Sequence, residues 1–295
     1  MIRVALVLVV VACSSTEELE KKVTKLEEDV STLRKERQFL EVKQVELLKQ
    51  MAELDKKVDD LGKRNVPPPS PYRPTRKQPD PMKTYSLAID PLDPVDGASD
   101  ALVTIVEAYE YACPYCEKVR PTIEELKKRY GKDVRWVGKQ LVVHPQTATA
   151  SALAICAASK QKKFAAMDHL LWEQGYKARQ FDKNNCWDDP AGCSIVDGFA
   201  RKAGLDGKKF RDDMRQSCQT WLRSNDAALK KLGGAATPTF FINGRHLSGA
   251  QPVASFAALI DEELSRAKAR VAQGQSRGGY YDKWVVEEGQ PELDP

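Results

Sequence analysis

The sequence predicts an α/β domain carried behind a long coiled-coil helix. Three observations predict it: an apolar heptad repeat over residues 19–61, a proline-rich segment after that repeat, and then short apolar strands that alternate with amphipathic helices. The 295 residues can form one large domain or two small ones. A formal net charge of +4 is too small to indicate nucleic acid as a partner, so none is expected.

The N-terminus has the pattern of an export signal. In residues 1–12 one positive charge precedes an apolar run that is too short to span a membrane. Residues 10–13, V-V-A-C, resemble a bacterial lipobox, in which the peptide is cleaved before the cysteine and the cysteine is acylated. This resemblance implies a lipid anchor at Cys13, and Ser14 after it implies the outer membrane, with the mature chain facing the periplasm. An uncleaved anchor or a chance N-terminal cysteine is the alternative.

Residues 13–62 are predicted to form the lipid anchor and a coiled-coil stalk. Apolar positions step alternately by four and three residues, with leucine at every d position and valine at a positions such as 23 and 30. Valine at a with leucine at d favours a parallel two-stranded coil, whereas Arg37 and Gln44 at a lower its stability but can fix its register. A single solvated helix is the alternative. Unbroken heptads without glycine or proline favour self-association, first as a homodimer and second as a homotrimer.

A proline-rich linker over residues 63–83 is predicted to be extended. The predicted strands after it are 86–90, 102–111 and 134–143, with a helix over 114–130, a mostly helical block over about 146–232, a hairpin that turns at Asn243-Gly244, and a helix over 252–272. The tail, residues 275–295, is predicted to contain a short helix that packs back on the domain. Its role cannot be read from the sequence.

The chemistry is concentrated in Cys113-Pro114-Tyr115-Cys116, which follows a buried strand and opens a helix. Backbone N–H groups and the helix dipole at that position favour a thiolate on Cys113. Cys116 lies one turn further in, so the first sulfur attacks and the second resolves the mixed disulfide. Pro114 stiffens the turn, Tyr115 shapes access to the sulfurs, and together they tune the redox potential.

A zinc site is the alternative reading of a CxxC pair. The sequence has no second CxxC, and His144, His169 and His246 are scattered along it. We therefore expect no metal and no cofactor.

The pair resembles the active site of the thioredoxin superfamily, and specifically of its DsbA-like branch of periplasmic thiol-disulfide oxidoreductases. The resemblance covers residues 85–274 and is carried by C-P-Y-C after a strand, by Thr237-Pro238 before the strand 239–243, and by the helical block between them. Cytosolic glutaredoxins also use C-P-Y-C but are compact, whereas 125 residues separate Cys113 from Pro238 here. The resemblance implies a thioredoxin fold over residues 84–274 with an inserted helical domain.

The resemblance also implies roles for residues outside the pair. Pro238 is expected to be cis and to lie against the active disulfide, and the backbone of Thr237 is expected to contact an extended substrate. Glu107, six residues before Cys113, matches the buried acid that assists proton movement beneath the sulfurs. Its alternative is an ordinary strand-end carboxylate, and Lys139 on the next strand is a candidate partner.

The remaining cysteines are predicted to be structural. Without Cys13 the chain keeps an even number of cysteines, which suits an oxidising compartment. Cys186 and Cys193 bracket a turn-rich segment and are expected to form a disulfide. Cys156 and Cys218 lie on predicted helices and form either a second disulfide or two buried thiols.

The sequence thus predicts a lipid-anchored periplasmic enzyme that exchanges disulfides with exported proteins, either thiol-containing or misoxidised. An unidentified redox partner would reset the pair. Oxidase is the first expectation, as the default of the family. An oligomeric isomerase or reductase is the alternative, favoured by the coil and by Thr237 before the proline. A non-catalytic envelope scaffold is the alternative of another class.

Overall fold

The protein is described by a computed structural model over residues 2–63, 77–181 and 193–294, with the side chains of the first range given for 20–53 and 56. The chain divides into two compact units, Met1–Pro74 and Thr75–Pro295. Among the described residues, no helix combines the length and the apolar character needed to cross a membrane.

The described part of the first unit is a single helix, α1 (Ile2–Lys63), which ends within one residue of the predicted end of the stalk. No glycine or proline interrupts it before Gly62, so its backbone hydrogen bonds can run without a break. The apolar side chains of its a and d positions are exposed to solvent: Val23, Leu26, Val30, Leu33, Leu40, Leu47 and Met51.

The second unit is built on a five-stranded sheet. Its strands are β1 (Val95–Asp96), β2 (Val103–Tyr109), β3 (Val134–Gln140), β4 (Thr239–Ile242) and β5 (Arg245–Ser248), in the order β1-β3-β2-β4-β5. β2 and β3 are parallel, and the other neighbours are antiparallel. Every side chain of β2 is buried, because this β-branched strand lies in the middle of the sheet with both faces covered.

Seven α-helices in the described part of this unit cover the sheet and form the insert: α2 (Pro114–Tyr130), α3 (Pro145–Lys160), α4 (Phe164–Leu170), α5 (Ser194–Lys202), α6 (Gly207–Arg215), α7 (Ser217–Lys231) and α8 (Val253–Ala272). α2 and α8 pack on one face of the sheet, whereas the end of α7 and the C-terminal tail pack on the other. The predicted helical block is therefore present as α3 to α7, and its described part shares one core with Tyr109, Tyr111, Cys113 and Cys116.

The predicted hairpin is confirmed at Asn243 and Gly244, both of which have positive φ, 45° and 80°. This is the geometry that a two-residue turn between antiparallel strands requires. Glycine is needed at the second position also for space, because a Cβ there would lie 2.5 Å from the carbonyl oxygen of Tyr85.

The predicted strand over residues 86–90 is wrong. Tyr85 makes one isolated parallel bridge with Gln290, and Ser86 N donates to the Gln290 carbonyl at 2.8 Å. The Leu87 carbonyl accepts a hydrogen bond from the Tyr281 hydroxyl at 2.7 Å. The partners of this segment therefore belong to the C-terminal tail, and β1 takes the edge of the sheet instead.

Both flanks of the domain pack closely against it. In the tail, Tyr280, Tyr281 and Val285 are buried beside a helical turn at Asp282–Glu287, as predicted. Before the domain, the end of the predicted linker is also in contact with it, since the Pro81 carbonyl accepts from Arg245 Nε at 3.0 Å. Residues 77–83 therefore behave as part of the domain.

Candidate active site

Cys113 lies at the N-terminus of α2, directly after the central strand. It is the N-cap residue, Pro114 is the first residue of the helix, and the Cys113 carbonyl accepts from the backbone N–H groups of Cys116 and Glu117 at 3.1 and 3.2 Å. Proline suits this position because the first helical N–H has no partner inside the helix. Cys113 and Cys116 are both reduced and buried, whereas the Tyr115 side chain is 59% exposed.

The two thiols differ strongly in acidity. The pKa of Cys113 is lowered to about 6, chiefly by a hydrogen bond from Cys116. Burial opposes this effect, whereas a hydrogen bond from the Thr237 side chain and the N–H groups of Cys116 and Tyr115 lower the pKa further. The pKa of Cys116 is raised far above its usual range, first by burial and then by its hydrogen bond to Cys113 and the charge of Glu107. At neutral pH the reduced pair therefore holds a thiolate on Cys113 and a thiol on Cys116.

Thr237 and Pro238 meet the pair from the distant end of the domain. The peptide bond between them is cis, as predicted. The protonated Cys113 thiol donates to the Thr237 carbonyl oxygen at 3.1 Å, across 124 residues of sequence. This juxtaposition arises because β4, which follows Pro238, pairs with β2, which leads to Cys113.

Glu107 lies on β2, and its side chain is directed toward the helix that holds the cysteines. It is only 7% exposed, it lines a cavity of about 100 Å³ together with Cys116, and it accepts a hydrogen bond from Trp136 Nε1 at 2.8 Å. Burial raises its pKa to about 7, the Trp136 hydrogen bond opposes this rise, and the charge of Asp168 adds to it. A carboxyl group that titrates near neutrality beside a buried thiol can take up or release its proton.

The expected partner of Glu107, Lys139, is on the wrong face of the sheet. In the parallel register Glu107 lies opposite Gly138, and Lys139 lies opposite Ala108. Because side chains alternate between faces, a shift of one residue reverses the direction. Lys139 instead pairs with the buried Asp93 at 2.5 Å and binds Asn225 at 3.2 Å.

Two buried or half-buried carboxylates near the pair were not predicted from the sequence. Glu110 is fully buried and accepts from the backbone N–H groups of Val143 and His144 at 2.7 and 3.0 Å. It also pairs with the His144 ring and so links the segment before Cys113 to the loop after β3. Asp168, on α4, accepts a hydrogen bond from the Tyr111 hydroxyl at 2.8 Å. Glu110 lies three residues before Cys113 and so is next to the C-P-Y-C motif. No sequence pattern around Asp168 indicates that it lies near the site.

Comparison with known proteins decides the family. A family model described as thioredoxin matches residues 90–262, more than half of the chain. The chain belongs to the thioredoxin family. The fold of this thioredoxin domain is consistent with the match, since a parallel β2–α2–β3 unit is followed by the antiparallel β4–β5 hairpin and α8.

The curated relatives of this thioredoxin-family chain are longer proteins. It is 28% identical to the Na⁺/H⁺ antiporter NhaA of Herminiimonas arsenicoxydans over 187 residues, which are 63% of this chain and 28% of that protein. It is 31% identical to Na⁺/H⁺ antiporter NhaA 3 of Salinispora tropica over 196 residues, 64% of this chain and 28% of that protein. The chain thus spans 28% of the length of these relatives.

Solved structures similar to this chain include a thioredoxin-like oxidoreductase from Silicibacter pomeroyi DSS-3, 24% identical over 59% of this chain and 92% of that one, with a TM-score of 0.49. A periplasmic thioredoxin-like protein from Salmonella enterica serovar Typhimurium is 23% identical over 60% of this chain and 92% of that one, with a TM-score of 0.46.

The cysteines outside the thioredoxin motif are in structural positions where they are described. Cys156 on α3 and Cys218 on α7 form a disulfide with a Cα–Cα distance of 5.7 Å, the first of the two alternatives that the sequence left open. Cys193 is disulfide-bonded, but its predicted partner Cys186 lies outside the described residues, so that pairing stays a prediction. The side chain of Cys13 also lies outside the described residues.

Proposed function

We propose that this chain is a thiol-disulfide oxidoreductase of the bacterial cell envelope, of the DsbA-like type, which exchanges disulfides with exported proteins. The observation that carries the proposal is the asymmetric pair, a Cys113 with a pKa of about 6 at a helix N-terminus above a buried, weakly acidic Cys116. The thiolate is the reactive species in thiol-disulfide exchange, and only Cys113 of the two forms it at neutral pH.

In the oxidising direction, a client thiolate attacks Cys113 Sγ of the disulfide form. The Cys113–Cys116 bond breaks, and Cys116 leaves with the electron pair and takes up a proton. A second client thiolate then attacks the client sulfur of the mixed disulfide, and Cys113 leaves as a thiolate. The client has gained a disulfide and the pair is reduced, so a disulfide-bearing or other oxidising partner must restore it.

The low pKa of Cys113 supports oxidase as the first choice of direction. It makes Cys113 a good leaving group, and it stabilises the reduced state of the pair against the disulfide at neutral pH. A pair whose reduced state is stabilised tends to give its disulfide to clients. Oxidase is also the usual activity of the DsbA-like branch that the sequence resembles.

Isomerase is the second candidate because of one observation, the exposed apolar stripe of α1. Such a stripe with a heptad repeat fits a homodimer or homotrimer formed by the stalk, and an oligomer would bring several Cys113 thiolates to one misoxidised client. A scaffold that only binds extended polypeptides is the third candidate.

The proposed location is the periplasmic side of the envelope, with a lipid on Cys13 as the anchor and the outer membrane as the destination. The signal pattern of residues 1–12 supports export. The Cys156–Cys218 disulfide supports an oxidising compartment, where structural disulfides persist.

The function is tested with the full chain in three assays: oxidation of a reduced peptide, reduction of insulin, and refolding of scrambled ribonuclease. We expect the wild type to oxidise the peptide and Cys113→Ala to be inactive. An isomerase would be active in refolding and would lose that activity when Leu33→Asp and Leu40→Asp disrupt the coil. Inactivity of the wild type in all three assays would leave only the scaffold.

A further inference from the structure

The proposed exchange moves a proton to or from a cysteine that has no contact with bulk solvent. Cys116 is fully buried and Glu107, its neighbour in the cavity, is 7% exposed. Each turnover changes the protonation of Cys116 once in each direction, so Glu107 must in turn exchange that proton with water. The inference below rests on the proposed function and identifies the route of that exchange.

The cavity extends between the sheet, α2 and the insert. Gly138 lies opposite Glu107 in the sheet, where a Cβ would lie 3.0 Å from the ring of Tyr109. Tyr109 is two residues beyond Glu107 on the same strand, so both side chains point to the same face. The cavity lining includes both of them as well as Asp168 from α4.

A chain of hydrogen bonds begins at the Tyr109 hydroxyl and follows one wall of the cavity toward the surface. The hydroxyl groups of Tyr109 and Tyr111 lie 3.2 Å apart, and the Tyr111 hydroxyl donates to Asp168 Oδ1 at 2.8 Å. The other Asp168 oxygen pairs with Arg120 at 3.3 Å, and the Asp168 side chain is 25% exposed. Arg120 in turn lies over the ring of Trp172, 4.9 Å from its centre. Asp168 is thus held between a buried hydroxyl chain and water.

We propose that Asp168 is the positioning residue for proton transfer, through which Glu107 exchanges the Cys116 proton with solvent. When a client thiolate reduces the Cys113–Cys116 disulfide, Glu107 gives a proton to the departing Cys116 thiolate and regains one across the cavity through Tyr109, Tyr111 and Asp168. When the pair is oxidised again, the proton moves the other way. The insert therefore supplies the acidic group at the outer end of the tyrosine pair, whereas Lys139 of the sheet is directed to the opposite face.

The remaining charged groups on the cavity lining belong to a second cluster. Asp96 of β1 and Glu124 of α2 both pair with Lys127, at 2.8 and 3.2 Å. Both carboxylates are more than half exposed. Asp168 also has a cationic neighbour, Arg120, but it alone of the three accepts a hydrogen bond from the tyrosine chain.

The electrostatics agree with coupling between the two carboxyl groups. Burial is the main cause of the raised pKa of Glu107, and the negative charge of Asp168 raises it further. The same charge also raises the pKa of Tyr109 and Tyr111, again after burial. Uptake of a proton by Asp168 would therefore make Glu107 a stronger acid, and loss of that proton would make it weaker.

The test follows resolution of a mixed disulfide in the full chain. Reduced protein is mixed with a high concentration of oxidised glutathione, and acid-quenched samples are analysed by mass spectrometry from pH 5 to pH 9. Cys116 gives up its proton, its sulfur attacks Cys113 Sγ, and glutathione leaves as a thiolate. For Asp168→Asn we expect this rate to fall about tenfold at pH 7, below the full contribution of a general acid or base. Imidazole buffer should restore the rate, and so should Asp168→Glu.

Asp96→Asn is the matched control, because it removes a carboxylate from the same cavity without touching the tyrosine chain, and it should resolve at the wild-type rate. Tyr111→Phe keeps the buried ring and removes the hydroxyl group that links Tyr109 to Asp168. It should therefore slow resolution as Asp168→Asn does, and it provides the test if Asp168→Asn folds poorly. The ultraviolet titration of Cys113 should remain near its wild-type midpoint in both Asp168→Asn and Tyr111→Phe.

The outcomes separate this inference from the proposed function. A wild type that forms no mixed disulfide at Cys113 rejects the function. A wild type that resolves normally, with Asp168→Asn and Tyr111→Phe matching it at every pH, rejects only the relay. A fall in the resolution rate that is equal at all pH values, insensitive to imidazole and shared by Asp96→Asn would also reject the relay, because it would be a structural effect.

Discussion

Trp136 Nε1 donates a hydrogen bond to Glu107 Oε2 at 2.8 Å in the interior of the domain. The indole is a neutral donor, so it orients the carboxyl group without the strong stabilisation that a lysine would give to the carboxylate. Burial therefore outweighs this hydrogen bond, and the pKa of Glu107 rises to about 7. A neutral partner thus leaves Glu107 able to change protonation near the pH at which the pair reacts.

The first prediction concerns stability and pH. Below about pH 4.5 Glu107 is protonated in both the folded and the unfolded chain. Above that pH the unfolded chain ionises first, because its carboxyl group has the lower pKa. The folded state therefore loses stability until about pH 7. The difference corresponds to about 3 kcal/mol at 1.36 kcal/mol for each pKa unit. Urea unfolding of the reduced protein should therefore show Glu107→Gln gaining about this amount relative to the wild type between pH 4.5 and pH 8.

The matched control for this prediction is Glu124→Gln. Glu124 lines the same cavity, but its side chain is 63% exposed. The gain in stability between pH 4.5 and pH 8 should therefore be larger for Glu107→Gln than for this variant. Parallel curves for the wild type and Glu107→Gln would contradict the raised pKa.

The second prediction separates the causes of the Cys113 acidity. The largest is the hydrogen bond from Cys116, which a serine hydroxyl can replace and an alanine cannot. Thiolate absorbance at 240 nm should therefore titrate with a midpoint of about 6 in the wild type, and the midpoint should rise toward that of an ordinary thiol in Cys116→Ala. Cys116→Ser should stay closer to the wild type. Equal midpoints in the two variants would show that the hydrogen bond is not the main cause.

Much of the fold could be predicted because its signals are local. The apolar run of β2, the C-P-Y-C sequence at the start of α2 and the Asn243-Gly244 turn each specify their own conformation. The strand predicted at 86–90 failed because its backbone partners, Gln290 and its neighbours, lie at the other end of the chain. No local pattern distinguishes an apolar segment that joins a sheet from one that is held by the tail.

The site was predictable only as far as its residues belong to a motif. Cys113, Cys116 and Pro238 do, whereas the partner of Glu107 depended on the register of two strands. Lys139 was one residue from the correct face, and the actual donor, Trp136, is an apolar residue that nothing marks as a polar partner. Asp168 reaches the cavity through the packing of the insert, which the sequence does not specify.

The third prediction concerns the disulfide between Cys156 and Cys218, which closes a loop with a sequence separation of 62 residues. Closing a loop of this length restricts the unfolded chain by about 4 kcal/mol in the chain-entropy treatment. The double variant Cys156→Ala, Cys218→Ala should lose about this free energy of unfolding in urea. Because the Cys113 pKa is lowered by hydrogen bonds from Cys116, Thr237 and Tyr115 rather than by this bridge, the midpoint of the Cys113 titration should not change. A shifted midpoint would mean that the insert governs the acidity of the pair.

The fourth prediction concerns assembly through α1. Leu33 and Leu40 occupy d positions of the heptad repeat and are exposed in the single chain, and a leucine buried in a coil contributes about 2 to 3 kcal/mol. Analytical ultracentrifugation of the full chain should show a homodimer, with a homotrimer as the alternative. The double variant Leu33→Asp, Leu40→Asp should be monomeric. Val42→Asp places the same charge on the outer face of the helix and should leave the assembly intact. A monomeric wild type would contradict the stalk as an oligomeriser, and dissociation caused equally by Val42→Asp would show that the predicted register is wrong.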